Sequence, residues 1–85
     1  MPTPVLVPNI SRYRTIYKIV HWNKKIGDLI KTDDVLLEFE INKATIEFRS
    51  PTGGYLIKKK REAGEHIFPG EIIAILEHPL TYKGK

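Results

Sequence analysis

A chain of 85 residues makes one small domain with a single modest core, and a deep enzyme cleft is not expected of it. It contains no cysteine, which excludes a disulfide staple, a thiolate metal site and a cysteine nucleophile, and its 14 basic against 10 acidic residues give a net charge of +4. Prolines at 2, 4 and 8, with no charged start leading into a long apolar run, supply neither a signal peptide nor a membrane span, so a soluble chain without a membrane partner is expected.

Val5, Leu6 and Val7, set between prolines, predict a short first strand, and Pro8 to Arg14 a loop. Thr15 to Trp22 is rich in β-branched and aromatic residues and predicts a second strand. The chain then turns through Gly27, extends briefly at Leu29-Ile30 and turns again from Lys31 to Asp34. After the long stretch Val35 to Phe48, Ser50-Pro51-Thr52-Gly53-Gly54 is a strong turn signal. Tyr55 to Lys59 predicts a strand, Arg61 to Glu65 a turn through Gly64, Ile67-Phe68 a short strand stopped at Pro69-Gly70, and Glu71 to Glu77 the last strand. His78-Pro79 opens a mostly polar tail. No window carries a 3.6-residue period over the length a helix needs, so the chain reads as all-β.

The stretch Val35 to Phe48 is the most informative. Val35, Leu37, Phe39 and Ile41 alternate with Glu38 and Glu40, the period of a half-buried strand; after Lys43 the apolar set moves to Ala44, Ile46 and Phe48. A two-residue turn at Asn42-Lys43 produces this change of parity. It sets Ile41 against Ala44, Phe39 against Ile46 and Leu37 against Phe48, so the whole apolar face is expected to be buried behind an exposed lysine. Asn42 tolerates φ > 0, as such turns require, whereas Lys43 is a poorer choice than glycine. The same register sets Glu38 against Glu47, a like-charge pair that costs stability.

A shift of 37 residues lays Gly27-Asp28 on Gly64-Glu65, Ile30 on Ile67, Asp34-Val35-Leu36 on Glu71-Ile72-Ile73 and Ile19-Val20 on Leu56-Ile57. Two such half-units bury their apolar faces against each other, which predicts a sandwich or flattened barrel of two four-stranded antiparallel sheets with a pseudo-two-fold axis. Shifted forward, Lys43 lands on Leu80; shifted back, on Leu6. The hairpin tip and the chain ends are thus expected at opposite poles.

Other residues carry less. His21, His66 and His78 share no metal-ligand spacing, so no metal is expected. No Ser-His-acid or paired-carboxylate set lies on elements that converge, which argues against intrinsic catalysis. Lys58-Lys59-Lys60-Arg61 reads as a solvated strand end, with an anionic partner as the other reading. Nucleic-acid binding there would want interleaved aromatics, and Tyr55 alone is near. Trp22 reads as a core or rim aromatic, and Gly27 and Gly54 as turn formers.

Glu40-Ile41-Asn42-Lys43-Ala44, with Gly27 sixteen residues before the lysine, Gly54 eleven after it, and Gly27-Asp28, Asp33-Asp34 and Ser50-Pro51 at their spacings, resembles the lipoyl domains of 2-oxo acid dehydrogenase complexes within the biotinyl/lipoyl carrier group. The resemblance covers roughly Val5 to Glu77 and implies a lipoyl domain over residues 1–79, with 80–85 the start of a linker or tail. It implies lipoate attached covalently to the Lys43 ε-amine, on a non-catalytic swinging-arm carrier of an acyltransferase (E2) component. The partners it implies are a thiamin-diphosphate decarboxylase (E1), the acyltransferase core (E2), the flavin-dependent dihydrolipoamide dehydrogenase (E3) and a lipoate-attaching enzyme. It also implies bacterial cytoplasm or mitochondrial matrix as the compartment. The isolated domain is expected to be a monomer.

By the same resemblance Glu40, Asn42, Ala44, Gly27, Gly54 and Arg12 are candidates for recognition by the modifying enzyme or the decarboxylase. Several positions depart from the family pattern: Asn42 stands for the usual Asp, Ile41 where Thr is frequent, and Arg49 where an uncharged residue is frequent. The loop Arg12-Tyr13-Arg14 is basic where many lipoyl domains are acidic. Biotin carriage is the nearest alternative, but the biotinyl signature has Met on both sides of the lysine and the only Met here is Met1. An unmodified lipoyl-like scaffold usually lacks the tip lysine.

Overall fold

The computed structural model describes residues 2–10 and 15–84, which contain eight strands and no helix. The strands are β1 (Pro2–Leu6), β2 (Tyr17–Trp22), β3 (Leu29–Ile30), β4 (Val35–Ile41), β5 (Ala44–Arg49), β6 (Gly54–Lys59), β7 (His66–Ile67) and β8 (Ile72–Glu77). They form two antiparallel four-stranded sheets, β1-β8-β6-β3 and β5-β4-β2-β7, as the repeat predicts. The first strand starts earlier than Val5 and the second later than Thr15, at the buried Tyr17.

The two sheets are copies of one another down to their irregularities. β2 and β6, β3 and β7, and β4 and β8 lie 37 positions apart. The register slips between Ile19 and His21 in one sheet and between Leu56 and Lys58 in the other. It slips again beside Leu36 and beside Ile73. Turn chemistry repeats as well. Carboxylates of Asp28, Asp34, Glu65 and Glu71 accept the backbone N–H of Lys25, Lys31, Glu62 and Phe68, each three residues earlier, at 2.7–3.1 Å.

Two expectations are corrected. Val7 N–H donates to Glu71 O where Ser50 N–H donates to Asp34 O, so β1 and β5 are related by 43 positions, not 37, and Leu6 is not the counterpart of Lys43. The cause is loop length: residues 7–16 join β1 to β2, whereas 50–53 suffice between β5 and β6. The strict alternation through β4 also fails, because the bulge turns both Leu36 and Leu37 into the core, each 0% exposed.

Tyr17, Ile19, Ile30, Phe39, Leu56, Ile67, Ile73 and Leu76 fill the space between the sheets. Burying each large side chain stabilises by about 1.5–3 kcal/mol, which makes this core the main cohesive term. Phe39 sits at its centre, with ring centroids 5.4 Å from Tyr17 and 5.8 Å from Phe48. The Tyr17 hydroxyl donates to Pro8 O and accepts from Ile10 N–H, pinning the first part of the β1–β2 connection beside the start of β2.

The poles follow from the ladders. Lys18, at the start of β2, lies beside Glu40, near the turn of the β4–β5 hairpin. At the other end of β2, Trp22 Nε1 donates to Arg61 O at 2.9 Å and its ring lies 4.9 Å from Lys59 Nζ. The chain continues to Gly27-Asp28, which exchanges backbone hydrogen bonds with Leu56. Next to Leu56, Tyr55 pairs with Glu77, and Glu77 with Pro2. The hairpin tip and the chain ends therefore occupy opposite poles.

Candidate functional site

The hairpin has the predicted register: Ile41 faces Ala44, Glu40 faces Thr45, Phe39 faces Ile46, Glu38 faces Glu47 and Leu37 faces Phe48. Asn42 and Lys43 adopt φ of 50° and 68°, the left-handed pair a two-residue hairpin turn needs to match the twist of its strands. No glycine supplies this conformation. The cross-strand apolar pairs hold the turn in a shape its residues do not favour by themselves. Burial behind the turn is less complete than expected, since β5 is an edge strand: Ala44 is exposed and Ile46 and Phe48 are only half-buried.

Asn42, Lys43 and Ala44 are all exposed, and Glu40 is half-buried behind them on the outer face. These four candidates come together at the tip. Lys43 thus stands exposed at the end of a rigid ladder, outside any cleft. The Glu38–Glu47 pair is relieved at one partner, where the Arg49 guanidinium reaches Glu47 at 3.0 Å and also donates to Asp33 O.

Gly27 and Gly54 lie at the far pole. Gly27 turns the chain with φ 95°, donates to Leu56 O and faces open space apart from the Tyr82 hydroxyl. Gly54 does not make the turn; it opens β6, where a Cβ would lie 2.8 Å from Glu77 O. Arg12 and the basic loop around it lie outside the described residues. Among the described residues no group of His, Asp and Glu is placed to hold a metal ion. In the basic run, Lys59 lies over Trp22 and Arg61 pairs with Glu71 at 3.0 Å, leaving Lys58 and Lys60 exposed.

Among the described residues, Asp34 is held in a turn that favours its charged form. The Lys31 N–H donating to Asp34 Oδ2, with the Lys24 ammonium 3.6 Å away, holds the Asp34 carboxyl below the ordinary carboxylate range.

Sequence reasoning missed the neighbours of Glu40 across the sheet. Lys18 pairs with Glu40 on one side of β2 and with His66 on the other, so Thr45, Glu40, Lys18 and His66 form one outward rung. The alternation Tyr17-Lys18-Ile19 carried the signal for Lys18, but the β2–β4 register was needed to place it.

The model of the family described as biotin-requiring enzyme matches residues 3–76, nearly the whole chain. The chain belongs to the biotinyl/lipoyl attachment family. Within it, this lipoyl domain is 38% identical over 73 residues to the dihydrolipoyllysine-residue succinyltransferase component of the 2-oxoglutarate dehydrogenase complex of Rickettsia bellii, over 86% of this chain and 18% of that protein. It is 41% identical over 70 residues to the mitochondrial acetyltransferase component 3 of the pyruvate dehydrogenase complex of Arabidopsis thaliana, over 81% of this chain and 13% of that one. The domain thus spans less than a fifth of the length of these relatives. Its fold matches the solution structure of the lipoyl domain of the 2-oxoglutarate dehydrogenase complex from Azotobacter vinelandii, with a TM-score of 0.71 at 20% identity, over 88% of this chain and 95% of that one.

Proposed function

We propose that Lys43 carries lipoate in amide linkage and that the lipoyl domain is the carrier module of an E2 acyltransferase in a 2-oxo acid dehydrogenase complex. The observation that carries this reading is the exposed lysine on a left-handed turn at the pole opposite both chain ends, in a member of this family. The residues fit the group: Lys43 offers an accessible ε-amine, Asn42 and Ala44 leave its approach open, and the hairpin ladder fixes the direction in which the arm departs. Bound lipoate would supply a dithiolane that takes up and gives back an acyl group with its two electrons. The chain's own residues hold that group outside the body, without a cleft.

The complex would then supply the partners: a decarboxylase (E1), the transferase core (E2), a dihydrolipoamide dehydrogenase (E3) and a lipoate-attaching enzyme. Lipoate is favoured over biotin because the relatives are named as dihydrolipoyllysine-residue transferases and neither neighbour of Lys43 is Met. Glu40, Asn42 and Ala44 surround the lysine and are assigned to recognition. Arg12 keeps that role on the resemblance alone. Gly27 and Gly54 would act through the backbone shape they permit. Residues 1–79 are taken as the domain, with 80–85 leading away from it.

Co-expression with a lipoate ligase and lipoate should raise the intact mass by one lipoyl group, and Lys43→Arg should abolish the increase. An unshifted wild-type chain, beside a control domain that the same ligase modifies, would defeat the reading.

A further inference from the structure

The pseudo-two-fold axis supplies an internal control for the far pole. Pro79 and Leu80 stand 37 positions after Asn42 and Lys43, where the chain leaves β8 as it leaves β4. At Asn42 the chain reverses with φ 50° and pairs as β5. Pro79 cannot do this, because its ring locks φ at about −65°, far from the left-handed region. The edge position beside β8 is taken by β1 instead.

The tail then folds into a turn of its own. Thr81 N–H and Tyr82 N–H donate to His78 O at 3.0 and 2.9 Å, and Leu80 N–H donates to His78 Nδ1 at 3.0 Å. The Thr81 hydroxyl bonds the Glu77 carboxylate. This turn lays Tyr82 on Tyr55, with ring centroids 4.1 Å apart and planes 13° from parallel, and leaves Leu80 89% exposed. The Tyr82 hydroxyl reaches the Gly27 turn, 3.7 Å from where a Cβ would stand. At Gly64, the counterpart of Gly27, nothing lies within 4 Å of the same point.

The surface beneath the tail differs from its counterpart accordingly. The outward rung of this sheet reads Pro2, Glu77, Tyr55, Leu29, whereas that beside the lysine turn reads Thr45, Glu40, Lys18, His66. The glutamate is common to both. Both ladders have the same geometry, so the ladder does not demand an aromatic at the counterpart of Lys18; the ring stacked on it does.

We infer that residues 78–82 are a strap docked on the outer face of the β1-β8-β6-β3 sheet. The folded unit then runs at least to Tyr82, and any chain that follows pivots beside the Gly27 turn rather than at the end of β8. This moves the limit taken above from residue 79 to residue 82. Undocking would lengthen the tether by ~3.3–3.6 Å for each residue freed, with both sheets unchanged. The strap lies at the pole opposite Lys43 and does not depend on acylation there.

The test is backbone amide relaxation of the whole chain labelled with 15N, with Tyr82→Ala and, as a copy of the other sheet, Tyr55→Lys. In the wild type the steady-state heteronuclear NOE of residues 80–82 should equal that of β8. Either substitution should drop it to the level of a free chain end. Tyr82→Ala should also shift the Gly27 amide resonance and leave that of Gly64 in place. Free-end values for residues 80–82 in the wild type, or equal responses at Gly27 and Gly64, overturn the inference. A Gly27 shift that grows with protein concentration would place the tail of a second copy there, and overturns it as well.

Discussion

At Gly54 there is no room for a methyl group. A Cβ would meet Glu77 O at 2.8 Å and the Leu76 side chain at 3.2 Å, with φ at 143°. Gly54→Ala should therefore cost roughly 1–3 kcal/mol, read as a lower urea midpoint, because the obstructing atom is the carbonyl of a neighbouring strand and cannot swing aside. Gly27→Ala probes a different constraint. Its space is open and only its φ of 95° resists the side chain, so it should cost about 1–2 kcal/mol. The sequence made both glycines legible as special but not the difference between them, since the close approach at Gly54 is a tertiary contact with β8. Lys43 was legible because the parity change around it is local.

Among the elements, the acid-closed turns carry a pH signature. With its folded-state carboxyl held below the ordinary range, Asp34 stabilises the native state at neutral pH, and that contribution is lost as pH falls through the depressed value. Asp34→Asn should accordingly lower the urea midpoint at pH 7, and its difference from the wild type should narrow in acid. The repeat exposed these acids as a recurring set. Their N–H partners three residues back became visible only with the turns in place. The hairpin register was legible for a related reason, as each apolar residue had one partner that satisfied the pattern. The bulges were not: the doublet Leu36-Leu37 reads as an ordinary apolar pair until the ladder shows both side chains inside. The sheet edges guard themselves, with Pro2 and Pro4 on β1, Thr45, Glu47 and Arg49 on β5, and only two residues each in β3 and β7.

Across the whole molecule, one layer of side chains joins the two halves, so neither half has a core of its own. Phe39→Ala at the centre of that layer should cost about 3–5 kcal/mol. Against the ~5–15 kcal/mol that holds typical domains together, this loss endangers both sheets at once, and urea unfolding followed by far-UV and by aromatic signals should show a single transition at a much lower midpoint. The repeat made this architecture legible from sequence, apart from the offset of β1, which depends on loop lengths that no pattern of apolar residues encodes.

The body measures 39 × 19 × 19 Å, and its two poles are the lysine turn and the pair of chain ends. Any attachment made through either end therefore leaves Lys43 at the free end of a stiff lever rather than close to the pivot. Rotating the body about such an anchor by a given angle displaces the hairpin tip farther than it displaces Gly54, which lies beside Glu77 at the anchored pole. Small angular freedom at the base becomes a wide arc at the tip, with no bending of the sheets.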